Sequence, residues 1–171
     1  SKARVGKHSV SLPRKSPNYN WLKRGINSRY NSVRGVRRMK ISGGCYCRRI
    51  RYVFDGDIAA SLQCHCRECQ YITGGNPNVL VLGADSDLTF SEGEEFISSF
   101  TRDDLEAGVT RLFCCICGTA LGTKPSRLKG SIALKIGTMD DPSFFTPSAA
   151  IFTKDKQSFH HISPDIPAFE E

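Results

Sequence analysis

The sequence predicts a mainly β fold of short antiparallel sheets with few short helices. Three observations point there. All eight cysteines fall into three tight clusters: Cys45 and Cys47, then Cys64, Cys66 and Cys69, then Cys114, Cys115 and Cys117. The apolar residues between them come in short runs bounded by glycine and turn residues, which is strand patterning. No stretch sustains a helical period over the length of an ordinary helix. At 171 residues and 39% hydrophobic, the chain is long enough for one domain with a real core. No run approaches the roughly 18 apolar residues that would cross a membrane.

The Cys64-His65-Cys66-Arg67-Glu68-Cys69 stretch places three thiols within six residues. Disulfides among them would be strained, whereas a tight turn can aim three sulfurs at one ion about 2.3 Å from each. Three protein ligands on a tetrahedral ion suit a reactive zinc; a structural zinc with a fourth ligand from elsewhere is the competing reading. Cys45-x-Cys47 paired with Cys114-x2-Cys117 supplies four thiolates, enough to saturate a structural zinc round which the sheets are built. Its halves lie about 70 residues apart, so the metal closes a long loop, worth on the order of 10 kcal/mol in small zinc domains. Cys115 is left over, either a neighbour on the turn that points away or a ligand, in the open site or in place of a flanking thiol. Eight cysteines could instead form four disulfides in a secreted chain. The tight spacings and the lack of an apolar signal run favour metal and a reducing, cytoplasmic setting.

Charge divides the chain. The net charge is +7, yet residues 1–40 carry 12 Lys/Arg and no acid, leaving 12 Lys/Arg against 17 Asp/Glu for the rest. Residues 1–38 read as a basic, flexible extension, too poor in apolar residues to order itself. Tyr19, Trp21 and Tyr30 lie among Arg14, Lys15, Lys23, Arg24 and Arg29, a pattern that could contact nucleic-acid phosphates and stack on bases. The same composition fits an organellar targeting segment. A third reading puts the natural start at Met39, with the upstream residues a start-site artefact. The zinc domain is assigned to residues 39–171.

Along that domain, Ile50, Tyr52 and Phe54 alternate with Arg51 and Val53 as a half-buried strand. Asp55-Gly56-Asp57 is a turn signal. Leu62 leads into the three-thiol cluster, and Thr73-Gly74-Gly75-Asn76-Pro77-Asn78 is a loop. Residues 79–82 form a buried strand, and further strands are expected at 88–90, 97–100, 110–113, 132–136 and 149–152.

Gly43-Gly44-Cys45-x-Cys47, Ile50-Arg51-Tyr52, Cys64-His65-Cys66-x2-Cys69, Phe113-Cys114-x2-Cys117-Gly118-Thr119 and Gly137-Thr138-Met139-Asp140-Asp141-Pro142 fall in one family's order and spacing. Over residues 39–171 the chain resembles the glutathione-dependent formaldehyde-activating enzyme family, which also includes centromere protein V. Phe159, Ile162, Pro167 and Phe169 resemble that family's closing segment. The resemblance implies an Mss4-like fold with two zinc ions per chain. It assigns Cys45, Cys47, Cys114 and Cys117 to the structural ion, and Cys64, Cys66 and Cys69 to the reactive, catalytic one. It implies a carbon–sulfur lyase that binds glutathione as thiolate and joins it to formaldehyde, or releases it, as S-hydroxymethylglutathione. Arg48 departs from the family's usual glycine, Ala150 from a frequent histidine and Phe159 from a frequent tryptophan; none is a zinc ligand. Zinc-containing methionine sulfoxide reductases, of related fold, need a separate late cysteine, and no cysteine follows Cys117.

Ligand chemistry agrees with the resemblance. Three thiolates leave a zinc unit at about −1 charge, better suited to binding a soft sulfur than to ionising water. His65 is a weak candidate for a general base or ligand, and His160 and His161 read as surface or packing residues. Arg67, Arg102, Arg111 and Lys124 could receive glutathione's carboxylates. Asp140 and Asp141 read as a turn. The alternative class is a non-catalytic zinc module whose basic arm binds nucleic acid or a large assembly; a mere glutathione carrier is a further possibility. Oligomeric state has no signature in the sequence.

Overall fold

A computed structural model describes residues 37–106 and 108–171. Of the expected nucleic-acid arm, residues 1–38, positions 1–36 lie outside the described residues, while Arg37 and Arg38 open the first strand, opposite Ile58 and Asp57. Among the described residues the chain forms ten strands and one short α-helix. A three-stranded antiparallel sheet comprises β1 (Arg37–Gly44), β2 (Arg51–Ile58) and β5 (Leu88–Glu92), in the order β1-β2-β5. A seven-stranded sheet adds β3 (Ala60–Cys64), β4 (Asn78–Ala84), β6 (Ile97–Thr101), β7 (Val109–Cys114), β8 (Ala120–Pro125), β9 (Ser131–Lys135) and β10 (Ala149–Ile151). Its order is β10-β3-β4-β9-β8-β7-β6, antiparallel except for the parallel β10–β3 pair. The helix α1 spans Arg67–Thr73. None of the described helices is long and apolar enough to cross a membrane.

Two cores follow from the alternation of side chains along β4. Val81 faces Ile41, Tyr52 and Phe54 of the three-stranded sheet, together with Ile132 and Leu134 of β9. Leu80 and Leu82 face the other way, against Leu62, Ala133, Ile151 and Phe152. A strand buried on both faces loses the alternating pattern and reads as one apolar run, which is why residues 80–82 do; Val79, expected in the same buried run, is exposed. Each such side chain contributes roughly 1.5–3 kcal/mol on burial.

Asp55-Gly56-Asp57 is not a turn: β2 continues to Ile58, with Gly56 opposite Met39 of β1. The glycine serves close approach instead, since a Cβ there would lie 2.0 Å from Asp87 Oδ2. Strands β1, β3 and β8 lie outside the expected runs; β8, Ala120–Pro125, carries glycine, lysine and proline and has no clear period. The loop reading at 73–78 narrows, because Thr73 ends α1 and Asn78 begins β4.

Candidate active site

The four-thiol site is built from two similar turns, one after β1 and one after β7. The Arg48 N–H donates to Cys45 O and the Gly118 N–H to Cys114 O, each at 2.9 Å. The residue after the last thiol of each turn is left-handed, with φ of 62° at Arg48 and 73° at Gly118. The sulfurs of Cys45, Cys47, Cys114 and Cys117 all lie within 4.8 Å of one another. Tetrahedral zinc with bonds of about 2.3 Å requires sulfurs about 3.8 Å apart, and Cys47 Sγ lies 3.8 Å from Cys114 Sγ. The backbone favours thiolate here: the Ile50 N–H donates to Cys45 Sγ at 3.3 Å. Thr119 Oγ1 accepts from the Tyr46 N–H and donates to Cys117 Sγ, each at 3.1 Å. That hydroxyl brings the Cys117 thiol down to about 6. Cys115 is exposed and lies outside this group.

The three-thiol site lies where β3 hands over to α1. Cys64 ends β3, Cys66 is the N-cap of α1, and Cys69 lies in its first turn. Cys66 Sγ accepts the Cys69 N–H at 3.4 Å and lies 3.5 Å from Cys64 Sγ. Gly74, left-handed at φ 70°, ends the helix after two turns. The three sulfurs lie within 4.8 Å of one another. Hydrogen bonds to Cys66 and Cys69, followed by burial, push Cys64 well above the ordinary thiol range. Cys69 is the acceptor of the set, held well below that range by Cys64 and Cys66, with Lys135 and Arg111 adding positive charge. The Cys64 bond favours the Cys66 thiolate, but Cys69 and burial outweigh it and push Cys66 up to about 12. Three sulfurs so close ionise together only around a cation, and an all-thiolate set suits a soft divalent ion such as zinc.

His65 is not part of this sulfur group. His160 Nε2 lies 2.7 Å from Gly75 O and therefore carries the proton, so its Nδ1 accepts from His65 Nδ1 at 3.0 Å. Burial above all brings His65 down to about 4, so it is neutral. His160 is buried, a packing residue; His161 is exposed.

A cavity of about 400 Å³ lies between α1 and the β9-β8-β7-β6 side of the large sheet. Tyr71 and Ile72 of α1, Phe100 of β6, Arg111 and Phe113 of β7 and Lys135 of β9 line it. Among the four cations expected to receive carboxylates, only Arg111 lies in this wall, 3.0 Å from Glu68 in the first turn of α1. Arg67 lies over the Tyr71 ring, Arg102 pairs with Asp104, and Lys124 pairs with Asp85 at 2.8 Å. Sequence reasoning missed Lys135 and Asn78, both buried. Lys135 Nζ donates to Asn78 Oδ1 at 2.7 Å, and Asn78 Nδ2 donates to Cys69 Sγ at 3.6 Å. A lysine closing the apolar run Ile132-Ala133-Leu134 was the available signal.

The family model of the glutathione-dependent formaldehyde-activating enzyme matches residues 40–155. The chain belongs to that family. Both thiol groups of the glutathione-dependent formaldehyde-activating fold fall inside the match, while His160 and the closing segment lie beyond it. No curated protein sequence matches the chain. Its fold is similar to the crystal structure of a Rhodobacter sphaeroides protein solved as a structural-genomics target. That likeness has a TM-score of 0.51 at 14% identity, covering 75% of this chain and 99% of the other. Two cysteine groups able to hold metal, in a chain of this family, are consistent with zinc.

Proposed function

We propose that the chain is a cytoplasmic zinc-dependent carbon–sulfur lyase that forms or breaks S-hydroxymethylglutathione. The observation that carries this reading is the three-thiol group, linked through Asn78 to Lys135 in the wall of a cavity that also holds Arg111. A zinc ion bound by Cys64, Cys66 and Cys69 would supply a site for soft sulfur in preference to water. In the forward direction the glutathione sulfur attacks the formaldehyde carbon, the C–S bond forms, and the proton lost by sulfur ends on the former carbonyl oxygen. Reversal breaks the same bond and releases both molecules. Arg111, oriented by Glu68, would receive a glutathione carboxylate as a forked donor. Tyr71 and Phe100 would cover the peptide and exclude water from the sulfur. The cavity falls within the roughly 300–1,000 Å³ typical of small-molecule sites.

The test measures zinc content, glutathione binding and exchange between formaldehyde and its glutathione adduct, for the wild type and Cys66→Ser. Two zinc ions per chain, falling to one in the variant with binding and exchange lost, is the expected result. One zinc per chain, with no glutathione effect and an unchanged variant, would overturn the reading. Glutathione binding without faster exchange would make the protein a carrier.

A further inference from the structure

We propose that Lys135 is the counter-charge of the three-thiol centre, aimed at it by Asn78. Lys135 is only 7% exposed, and among the described residues no carboxylate lies within ion-pair distance of it. A buried ammonium is expensive unless an opposite charge compensates it. The other cation of the cavity wall, Arg111, already has Glu68. The groups left to compensate Lys135 are the sulfurs, which it reaches through one intervening side chain.

Sheet register builds that path. Cys64 of β3 is opposite Asn78 of β4, and Leu80 of β4 is opposite Lys135 of β9. Asn78 and Lys135 are therefore diagonal neighbours on one face, at the end of the strands where the thiols sit. Asn78 Oδ1 accepts from the ammonium, which polarises the amide, and its Nδ2 donates to Cys69 Sγ. Three thiolates and a divalent ion carry one net negative charge; one ammonium cancels it. The inference rests on the metal reading of the three thiols and not on which thiol is the substrate.

The experiment titrates the full chain with cobalt(II), follows thiolate-to-metal absorption, and then withdraws metal with a chromophoric chelator. The wild type is expected to take two ions. Lys135→Met is expected to weaken the three-thiol site by about tenfold or more, the effect of losing one unit charge at this range in a partly screened interior. The four-thiol site should keep its affinity and reports that the variant is folded. Asn78→Asp, which gives Lys135 a carboxylate and sets a negative charge beside Cys69, should weaken the same site. Unchanged affinity at the three-thiol site in both variants would overturn the proposal. Equal weakening of both sites would make Lys135 a residue of the fold, and unchanged metal affinity with poorer glutathione binding would make it a substrate contact; either overturns the proposal alone. A wild type that takes one ion, at the four-thiol site, would remove the metal reading as well.

Discussion

Arg48 holds a left-handed backbone at φ 62°, a conformation that costs a residue with a Cβ about 1 kcal/mol or more. The turn requires it. Gly118 occupies the matching place after Cys117, with the same hydrogen bond back to the first thiol of its turn. Arg48→Gly is therefore expected to raise stability by about 1 kcal/mol in chemical denaturation, with metal content unchanged. A loss instead would mean that the arginine side chain contributes more than its backbone costs. The departure from the usual glycine was visible in the sequence. The sign of φ was not, because it depends on how the turn closes round the sulfurs.

Between elements, Tyr52 of β2 joins the two sheets. Thr138 Oγ1 donates to Lys135 O at 2.8 Å, so the Tyr52 hydroxyl must be the donor in its 2.8 Å bond to Thr138 Oγ1. Gly43 makes room for it: a Cβ there would lie 2.4 Å from the Tyr52 oxygen. Burial, ahead of the nearby Asp140 charge, raises the Tyr52 phenol above its ordinary 10.0. The folded state then keeps a proton that the unfolded chain loses. This stabilisation is complete below pH 10 and fades as pH rises through the folded value. Tyr52→Phe should lose about 1 kcal/mol near neutral pH with the hydrogen bond. It should also lack the alkaline decline, so its urea midpoint approaches the wild type's above about pH 10. A constant gap at every pH would show that the phenol titrates alike in both states.

For the whole molecule, the four-thiol site ties the end of β1, in the small sheet, to the end of β7, in the large one. Cys45 and Cys114 are buried with Ile50 and Leu121 in a third apolar cluster at that junction. A structural zinc contributes on the order of 10 kcal/mol, comparable to the full stability of a domain this size. Chelation at neutral pH should therefore abolish the cooperative thermal transition seen by circular dichroism, and added zinc should restore it. Cys114→Ser should behave like the chelated protein, and Cys66→Ser should keep its transition. A cooperative transition that survives excess chelator would show that the two sheet-to-sheet cores suffice.

Cysteine spacing carries the division of seven thiols into a group of four and a group of three, the groups in which the sulfurs lie together. It could do so because thiols within six residues of one another have few other places to go. The place of Cys115 is left open by spacing; in the structure it lies outside both groups. Apolar runs likewise point to most of the large sheet, since burial on both faces of β4, β9 and β10 leaves a local mark on the sequence. What surrounds the sulfurs depends on contacts made across the fold. His65 meets His160 from 95 residues away and Lys135 meets Asn78 from 57, contacts that no local pattern encodes. Strand register selects the Lys135–Asn78 pair, and register is set by how both faces of β4 pack, whereas the two histidines meet through segments outside the strands.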